Sequence, residues 1–401
     1  MPASLPRKRF GVFIAPFHPD DESPTEQIHR DFALIDHLDR LGFHEAWIGE
    51  HHSGGFEIIG SPELFIAQAA ARTQQIRLGT GVVSLSYHNP FMVAARMLQL
   101  DHQTRGRAML GVGPGQLPTD AFMLGIEVAQ QRRMMNESLE VILALLRGET
   151  VTKKTDWFDL REARLQLPPY SDPMLEVAVA GAISPTGARA AGTHGVGLLS
   201  LAASLPGAFD ELPKHWAVAE EKAAEHGRVV DRRNWRLVVP MHLAETREQA
   251  RADMEFGTLK LARYQERLGG GLPAYAHSTD QMLDEWTGNG LVVFGKLTLG
   301  TPDDMIETIA QLEKQSGGFG TVLLLAHNCA SPEATFKSYE LFARYVMPAV
   351  TGANAARGES LDWAHSNSQR FIGAMMGGIA QAVEDHEVER AARGQGTAWR
   401  R

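Results

Sequence analysis

The chain has 401 residues, 44% of them hydrophobic, and 39 Lys and Arg against 48 Asp and Glu leave a net charge of −9. That composition is ample for one large core, and the charge argues against a general nucleic-acid or anionic-membrane surface. The single cysteine, Cys329, excludes an intrachain disulfide and a cysteine-built zinc site and fits a reducing compartment. Gly11-Val12-Phe13-Ile14-Ala15 is too short for a signal-peptide core, and no run approaches the ~20 apolar residues that span a bilayer. The expected setting is the cytoplasm.

Short apolar runs alternate with helical segments almost to the end of the chain. Strands are expected near 10–15, 44–49, 76–84, 107–112, 175–180, 196–201, 236–243 and 321–326. Several are apolar on both faces, as in Val322-Leu323-Leu324-Leu325, which a parallel sheet covered by helices requires. Helix starts are marked at Ser23-Pro24, Ser61-Pro62, Ser184-Pro185, Thr301-Pro302 and Ser331-Pro332, each placing a hydroxyl at the N-cap and proline at the first helical position. The first helix carries Ile28, Phe32 and Ile35 on one face and is expected to stop at Gly42.

Eight such strands fit either a closed (β/α)8 barrel or a doubly wound open sheet. A dinucleotide-binding sheet should show G-x-G-x-x-G after its first strand, but that strand ends Ala15-Pro16-Phe17-His18. Gly111-Val112-Gly113-Pro114-Gly115 has the wrong spacing and follows the fourth strand. The expected fold is therefore an α/β TIM barrel over residues 1–350, with insertions near 150–169 and 268–300. The first insertion reads as a short hairpin. The second, with Gly269-Gly270-Gly271, Tyr275, His277, Trp286 and Phe294, reads as a lid or binding loop. Residues 351–401 read as a linker, Thr351 to Gly358, and a helical arm near 366–393.

In a barrel, the C-terminal strand ends and the loops after them carry chemistry. Those positions hold His18; Glu50, His51 and His52; Tyr87, His88 and Asn89; Gly113 to Asp120; Gly181 to Ser184; His242; and His327-Asn328-Cys329. Several imidazoles on one rim suit proton transfer near neutrality. Metal-dependent hydrolysis is the poorer reading, since no H-E-x-x-H occurs and the side chains of adjacent His51 and His52 diverge in extended backbone.

At this point the sequence resembles the bacterial luciferase-like flavin-dependent monooxygenases, in particular the limonene and alkanal monooxygenase branch. The resemblance covers about residues 8–348 and rests on Trp47-Ile48-Gly49-Glu50-His51-His52, Leu78-Gly79-Thr80-Gly81-Val82 and Leu100-Asp101-His102-Gln103-Thr104-Arg105-Gly106-Arg107, followed by Ser184-Pro185-Thr186-Gly187-Ala188-Arg189, Gly300-Thr301-Pro302-Asp303 and the run from Gly317 to His327. It implies reduced FMN as cofactor and O2 as cosubstrate, a flavin C4a-hydroperoxide, and insertion of one oxygen atom into a small apolar molecule such as a terpene, aldehyde or alkane. It further implies a two-component system with a separate NAD(P)H:flavin reductase, and a homodimer.

The same resemblance assigns His51 as the catalytic histidine beside the flavin, with Glu50 to orient it and His52 as a further catalytic position. It assigns Gly81, Val82, Gly113, Gly181, Ala182, Ser184 and Thr186 to the flavin, with a cis peptide bond at Gly81-Val82 against the ring. The segment Gly181 to Thr186 runs into a helix N-terminus, whose free N–H groups suit a phosphate. Luciferase also uses an arginine after the fourth strand; Pro114 stands there in this chain, so the counter-charge is expected from Arg189 or from the 150–169 insertion. Apolar rim residues, among them Phe17, Phe56, Leu85, Leu117, Phe122 and Met123, suit an apolar substrate. Oxygen transfer to an alkene requires a protonated, electrophilic oxygen, and insertion beside a carbonyl requires the anion; the sequence does not decide between them. A deazaflavin-dependent hydride-transfer enzyme and a non-catalytic flavin-binding barrel remain as alternatives.

Overall fold

A computed structural model describes residues 8–15, 17–269, 277–291 and 294–394. Gly270, Gly271 and Tyr275 of the second insertion lie outside the described residues. Eight strands form the barrel: β1 (Arg9–Ile14), β2 (Glu45–Ile48), β3 (Arg77–Thr80), β4 (Ala108–Gly113), β5 (Glu176–Gly181), β6 (Gly197–Ser200), β7 (Trp235–Leu243) and β8 (Thr321–Ala326). Each pairs in parallel with the next, and β8 pairs with β1, which closes the ring. The helices wrapped around it include α1 (Pro24–Arg40), α2 (Pro62–Arg72), α3 (Pro90–Thr104), α4 (Gln131–Leu146), α5 (Thr186–His194), α6 (Pro206–Glu225), α7 (Pro302–Ser316) and α8 (Pro332–Leu341).

Strand alternation explains the continuous apolar runs. In β8, Val322, Leu324 and Ala326 join the core beneath the helices, whereas Leu323 and Leu325 join Phe13, Trp47, Met109 and Val238 inside the ring. Trp47 is the bulkiest of these interior side chains, and glycines make room for it. A Cβ at Gly79 would lie 2.7 Å from the indole, and one at Gly111 would lie 2.9 Å from it. Below Trp47 the N-terminal end of the barrel is closed by ions. The Arg236 guanidinium sits 4.7 Å over the indole and bonds Glu45 and Glu176 at 2.6 Å each, with Arg77 2.8 Å from Glu176.

Four of the five expected caps stand at helix N-caps, at Ser23, Ser61, Thr301 and Ser331; Ser23 and Ser331 accept the first-turn N–H bond. The Ser184 expectation is corrected. The helix there starts at Thr186 with Pro185 at its N-cap, and the Ser184 hydroxyl bonds Thr186 Oγ1 at 3.2 Å instead of capping the backbone. The single strand expected over 76–84 is broken, because the Gly81–Val82 peptide bond is cis and Val83–Ser84 resumes alone beside β4.

Residues Val151–Lys154 and Asp159–Ala163 form the antiparallel hairpin. One helix leads into the second insertion and another lies within its described residues. Thr258–Gly269 and Thr279–Gly288 are helices, the latter capped by Ser278 and burying Met282, Leu283 and Trp286 on one face. With Phe17, Phe56, Leu291 and Cys329 these make a separate apolar cluster at the barrel's C-terminal rim. The described residues beyond Thr351 form a second compact unit: helix Ser368–Ala392 lies where the arm is expected, and helix Ala355–Ser366 takes up residues 355–358 of the expected linker. Among the described residues no helix is long and apolar enough to cross a membrane.

Candidate active site

The C-terminal rim holds a cavity of about 830 Å³. Phe13, Val238 and Leu325 rise from the barrel interior into its walls, Tyr264 reaches it from the helix Thr258–Gly269, and Leu268, Leu291 and Phe294 reach it from the second insertion. Glu50, His51, Gly81, Val82, Gly113, Gly181, Ala182, Ser184 and Thr186 all line it, and His52 does not. Of the apolar rim residues, Phe56 and Leu117 line it, whereas Phe122 and Met123 are 85% and 58% exposed and do not.

The histidines divide into separate networks. His51 Nδ1 lies 3.2 Å from Asp120 Oδ2, and its Nε2 lies 3.4 Å from Glu57 Oε2. Asp120 is buried on the short helix Pro118–Met123 and is itself fixed: the His52 backbone N–H donates to it at 3.2 Å, and the Ser53 hydroxyl also donates. Glu50, expected from sequence to orient His51, bonds other partners instead. Its Oε1 accepts from His52 at 2.9 Å and from His88 at 2.5 Å, and its Oε2 accepts the Ser84 N–H at 2.6 Å. Burial works to raise the Glu50 carboxyl, but the bonds from His52, His88 and Ser84 bring it below its ordinary value. The bond to Glu50, opposed by burial, raises His52.

Glu50, His52 and His88 also have the residue types of a metal set. Tetrahedral zinc with bonds of ~2.0–2.1 Å holds its ligand atoms about 3.3 Å apart. The separations of 2.5 and 2.9 Å are those of hydrogen bonds. The remaining rim histidines are tied into the scaffold: His18 to Asp31 at 2.9 Å, His242 to Asp253 at 3.1 Å and His327 to the Met241 carbonyl at 3.0 Å. Burial takes His327 down to about 4.

The β5–α5 turn is a backbone cradle. A Cβ on Gly187 would lie 2.5 Å from the Ala180 carbonyl and 2.6 Å from Gly181 Cα, so glycine is what lets the helix start this close to the strand. The first-turn N–H groups of α5 have no acceptor within the helix. The cation expected for this end is placed differently from the sequence reading. Neither Arg189 nor any residue of 150–169 lines the cavity; Arg132 of α4 does, as the one Lys or Arg among the described lining residues. Arg133 beside it is engaged by Glu137 and Asp156, whereas the Arg132 guanidinium has no partner among the described residues. No periodicity or motif distinguishes the two arginines in the sequence, and Glu57 carries no motif either.

A profile described as luciferase-like monooxygenase matches residues 8–318. The chain belongs to that family. It is 46% identical to limonene 1,2-monooxygenase of Rhodococcus erythropolis over 96% of this chain and 98% of the relative. It is 44% identical to 4-hydroxyprotoasukamycin monooxygenase of Streptomyces nodosus subsp. asukaensis, over 90% of this chain and 96% of the relative. Among solved structures, the oxygenating constituent of 3,6-diketocamphane monooxygenase of Pseudomonas putida, in complex with FMN, superposes with a TM-score of 0.70. It shares 24% identity and covers 85% of this chain and 98% of its own. That likeness shows the luciferase-like barrel fold.

Proposed function

We propose that the rim cavity binds reduced FMN and that the protein inserts one atom of O2 into a small apolar substrate, a terpene, aldehyde or alkane-like molecule. The flavin is supplied by a separate NAD(P)H-dependent reductase. The observation that carries this reading is the sharing of one cavity by an unpaired cation, a glycine-built helix N-terminus and an imidazole held by a carboxylate. A flavin mononucleotide needs both: a dianionic group at one end and proton handling near its ring at the other. The names of the two curated relatives support oxygenation of organic molecules, and the apolar walls support a substrate of low polarity.

In this reading Arg132, Ser184, Thr186 and the α5 N-terminus hold the phosphate, with Gly181 and Ala182 beside them. Gly81, Val82 and Gly113 face the ring, and Trp47 beneath Gly81 holds that surface rigid. When bound, reduced FMN supplies the electrons that activate oxygen. His51 manages a proton in the cavity, held by Asp120 through Nδ1, while Glu50 braces the β3 bend through the Ser84 N–H and collects His52 and His88. Tyr264, Leu268 and Phe294 exclude water.

Titration of the flavin-free protein with FMN and with riboflavin, which lacks the phosphate, tests the seat. Wild type is expected to prefer FMN, and Arg132→Ala to erase that preference by about 10- to 100-fold, the range of a charge-assisted hydrogen bond. Equal affinity of wild type for both flavins would refute the phosphate seat. A reductase-coupled screen of apolar substrates, scored by oxygenated product, then tests the reaction.

A further inference from the structure

Beside the proton-handling histidine lies a second carboxyl that sequence reading did not single out. Glu57 lines the cavity, and its side chain is 19% exposed. Its Oε2 faces His51 Nε2 at 3.4 Å, and no backbone N–H, lysine or arginine meets its carboxyl among the described residues. The contrast with Asp120 across the same imidazole is chemical. Asp120 accepts from a backbone N–H and a serine hydroxyl, so a negative charge there is solvated by fixed donors. Glu57 has only the imidazole, with Tyr264 and apolar walls around it.

We propose that Glu57 is a proton donor of this pocket, holding as a neutral carboxylic acid the proton that it shares with His51 and delivers into the cavity. His51 lies between the two carboxyls: Nδ1–H donating to Asp120 would leave the Nε2 lone pair facing the Glu57 carboxyl at 3.4 Å. The groups that face Glu57 are His51 and His18, which work to lower its pKa, and Asp120, which works to raise it with burial; burial is the largest of these influences and the net direction is upward. Tyr264 also faces it, and is raised by burial and by Glu57.

The inference rests on the monooxygenase reading and deepens it. Reduced flavin, O2 and substrate give oxidised flavin, oxygenated substrate and water; the electrons come from the flavin, and the oxygen atom that is not inserted leaves as water and must gain protons. An acid at the cavity keeps the transferring oxygen protonated. That favours transfer to an electron-rich carbon–carbon double bond over attack on a carbonyl. Glu57 gives its O–H proton to the transferring oxygen, and as that atom bonds to carbon the proton passes to the oxygen that leaves as water; Glu57 is left a carboxylate and is reprotonated from water between turnovers.

Infrared spectroscopy of the flavin-free protein reads the proton directly. Wild type should show the carbonyl stretch of a neutral carboxylic acid that Glu57→Gln lacks and Glu57→Asp retains; identical wild-type and Glu57→Gln spectra in that region would overturn the proposal. With reduced FMN and an alkene, Glu57→Gln keeps the shape and a hydrogen bond but has no acid to give. It should lose about 10²-fold in product formation, release hydrogen peroxide instead, and lose the alkaline decline of the wild-type pH profile, with Glu57→Asp partly restoring both. Full alkene oxygenation by Glu57→Gln with an unchanged pH profile would equally overturn it. Failure of the wild-type chain to bind FMN would instead remove the proposed function, and the infrared comparison would still decide whether Glu57 holds the proton.

Discussion

His51 is held at one nitrogen by Asp120, and in the proposed reaction it works with the other. With Nδ1 facing Asp120 at 3.2 Å, the ring turns Nε2 towards Glu57, which lines the cavity, a placement that suits the proposed proton transfer. His51→Ala is expected to bind FMN normally and lose about 10²–10⁴-fold in turnover, the range of a lost general acid–base group. Flavin fluorescence measures the first and reductase-coupled product formation the second; full turnover would take proton transfer away from His51. At this scale the sequence showed residue types better than partnerships. His51 and Glu50 were legible because they end a strand in a recognisable run. That Asp120, 69 positions away, holds His51 while Glu50 turns to His52 and His88 follows from how two loops meet, which no local pattern encodes.

The elements were legible where one chemical cause sufficed. Hydroxyl–proline pairs placed four helix starts, and unbroken apolar runs placed the barrel strands because both faces of each are buried. The break after β3 was legible only through the family resemblance, which implied the cis Gly81–Val82 bond, and the Ser184 turn was not legible, since its hydroxyl bonds the Thr186 side chain instead of capping the helix. The N-terminal ends of β2, β5 and β7 carry a feature that was not legible at all: Glu45, Glu176 and Arg236 meet only because the barrel closes. Breaking a buried pair leaves its partner charge uncompensated, so Glu45→Gln should lower stability by about 3–5 kcal/mol in denaturant unfolding. FMN affinity should be retained, because Trp47 lies between the network and the cavity. Burial disfavours the ionised Glu45, yet Arg236 and then Arg9 hold its carboxyl at about 2, below the ordinary 4.5. The stabilisation is therefore complete above the ordinary value and drains away as pH falls from there towards 2. Wild type should lose stability over that interval more steeply than Glu45→Gln; parallel pH curves would show that Glu45 does not drive the acid loss.

At the scale of the whole molecule, residues 352–401 raise a question that the barrel does not. In the helix Ser368–Ala392, Phe371, Ile372, Met375, Met376, Ile379 and Val383 are 39–57% exposed. At 100° per residue they fall within about 140° of arc, the width of a helix face that is buried against another surface. Sequence periodicity made this helix legible but not its partner, because an apolar stripe specifies burial and leaves the identity of the cover open. We expect the cover to be a second copy of the chain, in keeping with the homodimer that the family resemblance implies. Two aspartates in the stripe, at Met375→Asp and Ile379→Asp together, would place charges inside such an interface, and neither residue is among those that line the cavity. Sedimentation should then show a dimeric wild type and a monomeric double variant, both binding FMN. A double variant that stays dimeric would move the interface off this helix, and a monomeric wild type would dispose of the dimer.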